Sequence, residues 1–180
     1  MIWLMRHGED DNTRLGGWSD ASLSPLGREQ ARRAGETLLR STCPVRHIFS
    51  SDLPRAKETA EIVAERLKLG VTPLEEFREV NNGDLAGISK ERFQAEYPGL
   101  YWSSLAWERA YPNGESPRQF FDRIQQAWKD FKNRAERLDG DVLLVTHQGV
   151  IDVILCAEEG VPYTNKHPSH GIAHAEIVAI

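Results

Sequence analysis

The sequence predicts an α/β fold: one domain with a largely parallel central sheet, flanked by helices and carrying a loop-rich helical insertion. Three observations carry that expectation. Short, continuously apolar runs end in polar, reactive residues. Helical periodicity fills the stretches between them. No repeat, low-complexity tract or Pro/Gly/Ser-rich linker divides the 180 residues, so residues 1–180 are expected to form one unit.

The elements follow in order. Ile2-Trp3-Leu4-Met5 is apolar at every position, which suits a strand buried on both faces, and it runs into Arg6-His7-Gly8. Ser24-Pro25 supplies a cap and a first-turn proline for a helix reaching about Arg40. A weaker strand covers about Val45 to Phe49 and leads into Ser50-Ser51. From Pro54 to about Leu67, the residues Ala56, Ala60, Val63 and Leu67 share one helical face. Asn81 to Asn113, with Gly83, Gly87, Pro98, Gly99 and several aromatics, reads as the insertion, covering one end of the sheet. Ser116-Pro117-Arg118-Gln119 then fits a capping box with proline at the first helical position. Phe120, Ile124, Ala127, Phe131 and Leu138 recur behind it at helical spacing, which marks a core helix. Val142 to Thr146 repeats the buried-strand pattern and ends in His147-Gln148-Gly149, and Ala175 to Ile180 is expected as a last strand.

Composition narrows the function. With 22 basic and 27 acidic residues the net charge is −5, which speaks against a broad nucleic-acid-binding surface. An anionic ligand must therefore be held by a local cationic pocket. Cys43 and Cys156 are far apart, sit among apolar residues and form no metal or redox motif, so they read as reduced, buried thiols. With no charged-then-apolar leader and no 18-residue apolar run, the expectation is a soluble cytoplasmic protein without a membrane partner. Periodicity leaves the oligomeric state open.

The chemistry gathers at three strand ends. In open α/β sheets ligands bind beyond the carboxyl ends of the strands. Here those ends carry Arg6-His7-Gly8, Ser50-Ser51 leading to Arg55, and His147-Gln148-Gly149. Each alone is unremarkable: a histidine near a strand end is more often structural, and Arg55 on a helix can lie along the surface. Their joint occurrence points to phosphate.

The blocks also resemble a known family. Leu4-Met5-Arg6-His7-Gly8-Glu9 is similar to the signature of the histidine phosphatase superfamily, in its phosphoglycerate mutase-like branch. Gly17-Trp18-Ser19-Asp20 with Leu23-Ser24-Pro25-Leu26-Gly27, then Ser50 to Ala60, then Phe77-Arg78-Glu79, then Gly114-Glu115-Ser116 and Thr146 to Val150 follow in family order. The resemblance implies a phosphohydrolase without metal or other cofactor, acting on a small phosphorylated metabolite through a phosphohistidine on His7. It makes Glu79 the proton donor, His147 the second pocket histidine, and Arg6 and Arg55 the phosphate clamps.

Elementary chemistry supports these roles. An imidazole can attack phosphorus and later be displaced by water, dividing one difficult displacement into two. Neighbouring guanidiniums disfavour the imidazolium, and their forks match phosphoryl oxygens while staying charged. Glu9, Asp10 and Asp84 are the alternative acids, the first two close to the nucleophile in sequence; Glu9 reads as structural or as an entrance residue, Asp84 as a turn residue. The aspartate that donates the proton in a related branch of the superfamily is replaced here by Gln148.

The chain departs from the family pattern between Glu9 and Gly17, where it is shorter and carries Asp10-Asp11-Asn12. Asn12 is taken as the phosphate-contacting amide, and Arg14 for the basic position that follows. Trp18, Tyr101, Trp102, Trp107 and Tyr111 are candidates for an apolar leaving-group pocket, with ordinary packing the alternative for Trp102 and Trp107. His167, His170 and His174 follow no metal-ligand spacing, and no metal is expected. His174 is a candidate for substrate contact, because the family brings chain near the last strand towards the pocket. Two other functions stay in view: a phosphoglycerate mutase-type phosphotransferase, and an inactive phospholigand-binding module. The short insertion, with more aromatic than basic residues, favours hydrolysis over mutation, and retention of His7, His147, both arginines and Glu79 disfavours a binding module.

Overall fold

The computed structural model describes residues 1–41 and 44–180, so Cys43 lies outside the described residues. Five strands form one sheet: β1 (Ile2–Arg6), β2 (Val45–Ser50), β3 (Val71–Pro73), β4 (Asp141–Thr146) and β5 (Ile177–Ala179). Their order is β3-β2-β4-β1-β5. β1 and β2 both pair in parallel with β4, β3 is parallel to β2, and only β5 is antiparallel, at the edge beside β1. The parallel sheet with one antiparallel edge strand agrees with the predicted class.

Continuous apolar strands are explained by burial on both sides. Met5, Ile48, Leu143 and Val145 pack under α1 (Pro25–Arg40) and α2 (Pro54–Leu67). Their sequence neighbours Leu4, Phe49, Val142 and Leu144 point the other way, to α4 (Pro117–Ala135) and α5 (Gln148–Glu159). Successive strand residues alternate between faces, so a two-faced core needs apolar residues at every position.

The helix boundaries follow local chemistry. Ser24 Oγ accepts from Gly27 N at 3.0 Å, with Pro25 opening α1. At α4 both arms of the capping box form: Ser116 Oγ accepts from Gln119 N at 3.2 Å, and Gln119 Oε1 accepts from Ser116 N at 2.8 Å. α4 ends at Ala135, before Leu138, which packs on the core from the following turn. β5 is shorter than the expected Ala175–Ile180, because Ala175 takes φ +59° just before it. The insertion is loop-rich as expected, with 3₁₀ turns at Gly83–Leu85 and Trp102–Ser104 around the short α3 (Lys90–Glu96). It has its own small core of Leu85, Phe93, Leu105 and Tyr111. No helix among the described residues is long and apolar enough to cross a membrane. Cys156 is a buried free thiol, and burial raises its pKa.

Candidate active site

Because β2, β4 and β1 are adjacent and parallel, their carboxyl ends deliver three segments to one edge of the sheet. The ladder continues past the strands, with His7 N donating to Thr146 O and Ser51 N to Val145 O, both at 2.9 Å. His7 and His147 thus come side by side, ring centroids 5.2 Å apart and both almost wholly buried.

His7 is fixed in one tautomer. Its Nδ1 lies 2.7 Å from Gly8 O, an atom that can only accept, so Nδ1 carries the proton and Nε2 keeps its lone pair. Gly8 is held by Thr59, whose Oγ1 accepts from Gly8 N at 3.0 Å and donates to Arg55 O at 2.7 Å. A side chain at Gly8 would collide with the backbone of Gly27, where α1 passes closest. Arg55 Nε points at His7 Nε2 from 3.3 Å, a long hydrogen bond. Burial, then the charge of Arg55, then Arg6 and His174, hold the imidazole well below its ordinary pKa, outweighing the Gly8 carbonyl. His147 is driven the same way, chiefly by burial and then by Arg55. Both rings are therefore neutral.

The arginines are anchored but not saturated. Arg55, on the first turn of α2 and 2 % exposed, donates from Nη2 to Gly17 O at 2.8 Å and meets Asp10 at 3.5 Å. Arg6 donates to Ile172 O at 2.6 Å and to His174 Nε2 at 2.9 Å. Burial lowers both guanidinium pKa values, and the charges of Glu79 and Asp10 work against it. Arg6 Nε, Arg55 Nη1 and His147 Nδ1 are buried polar atoms without a partner among the described residues. Unpartnered buried donors are costly in a finished core, and these belong to residues grouped around His7. An anion of three equatorial oxygens would satisfy such a set.

Glu79 comes from the segment after the 3₁₀ turn Glu75–Phe77. Its Oε2 accepts from Gly149 N at 3.1 Å, in the first turn of α5, and its Oε1 accepts from Val80 N at 3.1 Å. A Cβ on Gly149 would fall 2.5 Å from Oε1, so only glycine lets the carboxylate sit there. The backbone of this segment is braced by Arg123 of α4, which donates to the carbonyls of Glu76, Arg78 and Glu79 at 2.8–3.1 Å and pairs with Glu115. Beside Glu79 opens a cavity of about 510 Å³.

Most predicted residues meet here, and some do not. Arg55 Nε reaches His7 Nε2 and His147 lies beside His7, Arg6 acts electrostatically on both rings, Glu79 acts electrostatically on both arginines, and His174 lies 5.7 Å from His7 between ring centroids. Asn12 does not join them. Asp11 accepts from Thr13 N and Oγ1, which forms a turn and leaves Asn12 exposed, and it is Asp10 that approaches Arg55. Arg14 is likewise turned away, donating to Gly87 O at 2.9 Å. Trp18 does not line the cavity beside Glu79; its indole donates to Glu79 O at 2.7 Å, and Arg78 stacks on its ring. Glu9 accepts from Ser24 Oγ at 2.8 Å and Asp84 from Asn113, which gives both the structural places expected of them. Ser116 is a buried helix cap.

Several supporting residues escaped sequence reasoning. Ser51 Oγ lies 2.9 Å from His147 Nε2 and orients that ring. Its position in Ser50-Ser51 was visible, but its partner depends on the β2–β4 pairing. The Ile172 carbonyl that steadies Arg6 carries no sequence signal. His7, Asp10 and His174 bring ligand-type atoms within 4.8 Å of one another, yet each is engaged by Gly8, Arg55 or Arg6 as described.

Known proteins resemble this chain in sequence and fold. The family model of the histidine phosphatase superfamily, branch 1, matches residues 2–180. The chain is 35% identical over 159 residues to phosphoglycerate mutase-like protein 4 of Arabidopsis thaliana, covering 83% of this chain and 67% of that protein. It is 33% identical over 189 residues to a glucosyl-3-phosphoglycerate phosphatase of Mycolicibacterium vanbaalenii, covering 98% and 82%. The solved structure of a mycobacterial glucosyl-3-phosphoglycerate phosphatase superposes with a TM-score of 0.77 at 32% identity, over 98% of this chain and 87% of that one. The chain belongs to the histidine phosphatase superfamily, branch 1, as a metal-independent phosphoric monoester hydrolase.

Proposed function

We propose that this chain hydrolyses a small phosphorylated metabolite through a phosphohistidine on His7, with Glu79 as proton donor. The observation that carries the reading is the His7 ring, held by Nδ1 on Gly8 O so that Nε2 keeps its lone pair and meets only a long hydrogen bond from Arg55, beside guanidiniums with unused donors. Nε2 forms the bond to phosphorus as the bond to the leaving oxygen breaks. That oxygen takes its proton from Glu79 and departs as the alcohol. Water then attacks phosphorus, Glu79 takes the water's proton, and the phosphorus–nitrogen bond breaks to release inorganic phosphate and restore His7. Arg6 and Arg55 match the charge on the three equatorial oxygens, and His147 Nδ1, directed by Ser51 on its other nitrogen, donates a neutral hydrogen bond.

Hydrolysis is favoured over phosphate return to bound product by the cavity beyond Glu79, which is walled by aromatic side chains. The mycobacterial relative's name, a phosphatase of a phosphorylated sugar–glycerate, supports the same class. A net charge of −5 and the buried Cys156 thiol fit a cytoplasmic enzyme with no nucleic-acid partner. Rapid quenching during turnover of labelled substrate should trap an acid-labile, base-stable phosphate on the peptide containing His7. A label on serine, or on the His147 peptide instead, rejects the assignment.

A further inference from the structure

We infer that Asp10 reads the proton on the phosphoryl group: its carboxylate accepts a hydrogen bond from a protonated phosphoryl oxygen, and the site therefore selects phosphate over sulfate, which has no proton to give. This deepens the hydrolase reading above and rests on it. The amide expected at the phosphate, Asn12, is exposed, and the side chain that reaches Arg55 is Asp10. Asp10 Oδ2 lies 3.5 Å from Arg55 Nε, the same atom that faces His7 Nε2 from 3.3 Å. A carboxylate oxygen of Asp10 and a ring nitrogen from each of His7 and His174 lie within 4.8 Å of one another. The main chain of Asp10 is pinned by a bridge to Leu23, and Glu9 O beside it accepts from Ser24 N at 2.8 Å. The carboxylate is thus held beside the nucleophile, with only 18 % of its side chain exposed.

An amide can donate to a phosphoryl oxygen, whereas a carboxylate only accepts. Two anionic oxygens in contact repel, unless a hydrogen lies between them; the pair then makes a short, charge-assisted bond. The charges facing Asp10 set the balance. Arg6 comes from the end of β1, Arg55 from α2 and His174 from the chain before β5, and each feels the Asp10 charge. Glu79 acts on the same two arginines, while Glu9, which acts on His174, is bonded to Ser24 Oγ. His7 and His147 are neutral. With Glu79 protonated as the donor, two guanidiniums stand against Asp10, and a singly charged phosphoryl group closes the balance. A doubly charged one leaves a negative charge uncompensated in a largely buried site, which is strongly disfavoured. A phosphomonoester supplies the required proton at little cost, because its second ionisation falls at about pH 6. Sulfate carries none near neutrality, so for sulfate the proton must come from solvent.

Calorimetric binding of inorganic phosphate and of sulfate, at constant ionic strength, tests this without turnover. At pH 7 the wild type should bind phosphate at least ~10-fold more tightly than sulfate, a modest part of the repulsion between two charges in contact near a protein surface. Asp10→Asn should bring that ratio towards one, chiefly by tightening sulfate at least ~10-fold. Asp10→Ser also removes the charge and should act in the same direction, which covers a failure of Asp10→Asn to fold. Asp11→Asn takes the same charge from the exposed neighbour and should leave the ratio where it is. In the wild type sulfate should tighten as pH falls from 7 to 5.5, because solvent protons then fill the gap between the two anions; in the Asp10 variants this trend should be much weaker. Each ratio comes from one preparation, so partial unfolding of a variant does not alter it. Equal affinity for the two anions in the wild type, or a preference that survives both Asp10 substitutions, would overturn the inference and leave the hydrolase reading intact. Absence of phosphate binding together with no turnover of any phosphomonoester would remove that reading, and the inference with it.

Discussion

The phosphate side and the leaving-group side of this site are built in different ways. Arg6, His7, Ser51 and His147 sit at the ends of three adjacent parallel strands, and Arg55 on the first turn of the helix that follows one of them. The sheet ladder itself holds them, through His7 N to Thr146 O and Ser51 N to Val145 O. The opposite side comes from the insertion and from the chain between α5 and β5, which lie on no shared ladder. Under the proposed function, a chemistry common to every phosphomonoester is mounted on rigid backbone, and selection among substrates on loops.

If that division holds, changes on the phosphate side should act alike on all substrates. His7→Ala removes the nucleophile and should lower kcat by at least ~10⁴-fold, as losses of a covalent nucleophile typically do. The loss should be the same for alkyl and aryl phosphates. A variant keeping more than a hundredth of the activity, with no trappable phosphate, would show that water attacks directly and that the strand ends only bind.

Glu79 stands on the boundary between the two sides, so its effect should depend on the substrate. Its two oxygens each accept a backbone N–H, from Gly149 and Val80, and Glu79→Gln can satisfy only one of them. The variant therefore loses some positioning as well as the transferable proton. Leaving-group chemistry separates the two losses. An alkoxide needs protonation as its bond to phosphorus breaks, and general acid catalysis typically contributes ~10²–10⁴-fold, so kcat/KM for an alkyl phosphate should fall in that range. p-Nitrophenolate departs without a proton, so the loss there should be clearly smaller. Because kcat/KM excludes the later hydrolysis of phosphohistidine, equal losses for both substrates would make Glu79 a positioning residue only.

Arg55→Lys keeps a charge at the phosphate and loses the fork. The fork here is in use: Nε faces His7, Nη2 holds Gly17 O, and Nη1 is unpartnered. A lysine cannot do all three, and kcat/KM should fall by at least ~10-fold, equally for substrates with large and small leaving groups. A loss confined to large leaving groups would move Arg55 to the other side of the comparison.

The same division describes what the sequence disclosed. The strand ends were legible because an apolar run stopping at a polar, reactive residue is a local pattern, and so were the caps of α1 and α4. Helix α5 was not recognised: Val150, Ile151, Val153, Ile154 and Cys156 are all buried, and a helix apolar on most sides shows no 3.6-residue contrast with a buried strand. β3 is three residues long and ends in Pro73, too little for a period. Trp18 was expected to face substrate, but an indole can also brace a backbone carbonyl, and only the fold shows which. Asn12 was judged from its place in a block, whereas the turn made by Asp11 and Thr13 decides where it points. Contacts across 70 or 96 residues, such as Gly149 with Glu79 or Ser51 with His147, are properties of the topology.

The smallest expected effect lies where the two sides meet, in the loop between α5 and β5. Asp152, buried on α5, accepts from the backbone N–H of Ser169 and His170 and from the His170 ring at 3.0 Å. The other ring nitrogen meets Glu159 at 2.9 Å, and Cys156 lies 4.0 Å from the first. Burial lowers the His170 pKa, but the hydrogen bonds and charges of Glu159 and Asp152 outweigh it and leave it raised. A group whose pKa is raised by folding contributes stability that is complete below its unfolded value, near 6.5, and lost as pH climbs through the folded value. The wild type should therefore exceed His170→Gln in Tm at pH 6, and that margin should shrink steadily above neutrality. A partly exposed pair is worth on the order of 1 kcal/mol, or about 2–4 °C for a chain of this size. The loop also presents Ile172 O to Arg6 and carries His174, so loosening it should reach the phosphate side. At pH 6, His170→Gln should therefore raise KM for alkyl and aryl phosphates by the same small factor. A margin in Tm that grows with pH would mean that His170 is held neutral, and that the clamp works through the Asp152 backbone contacts alone.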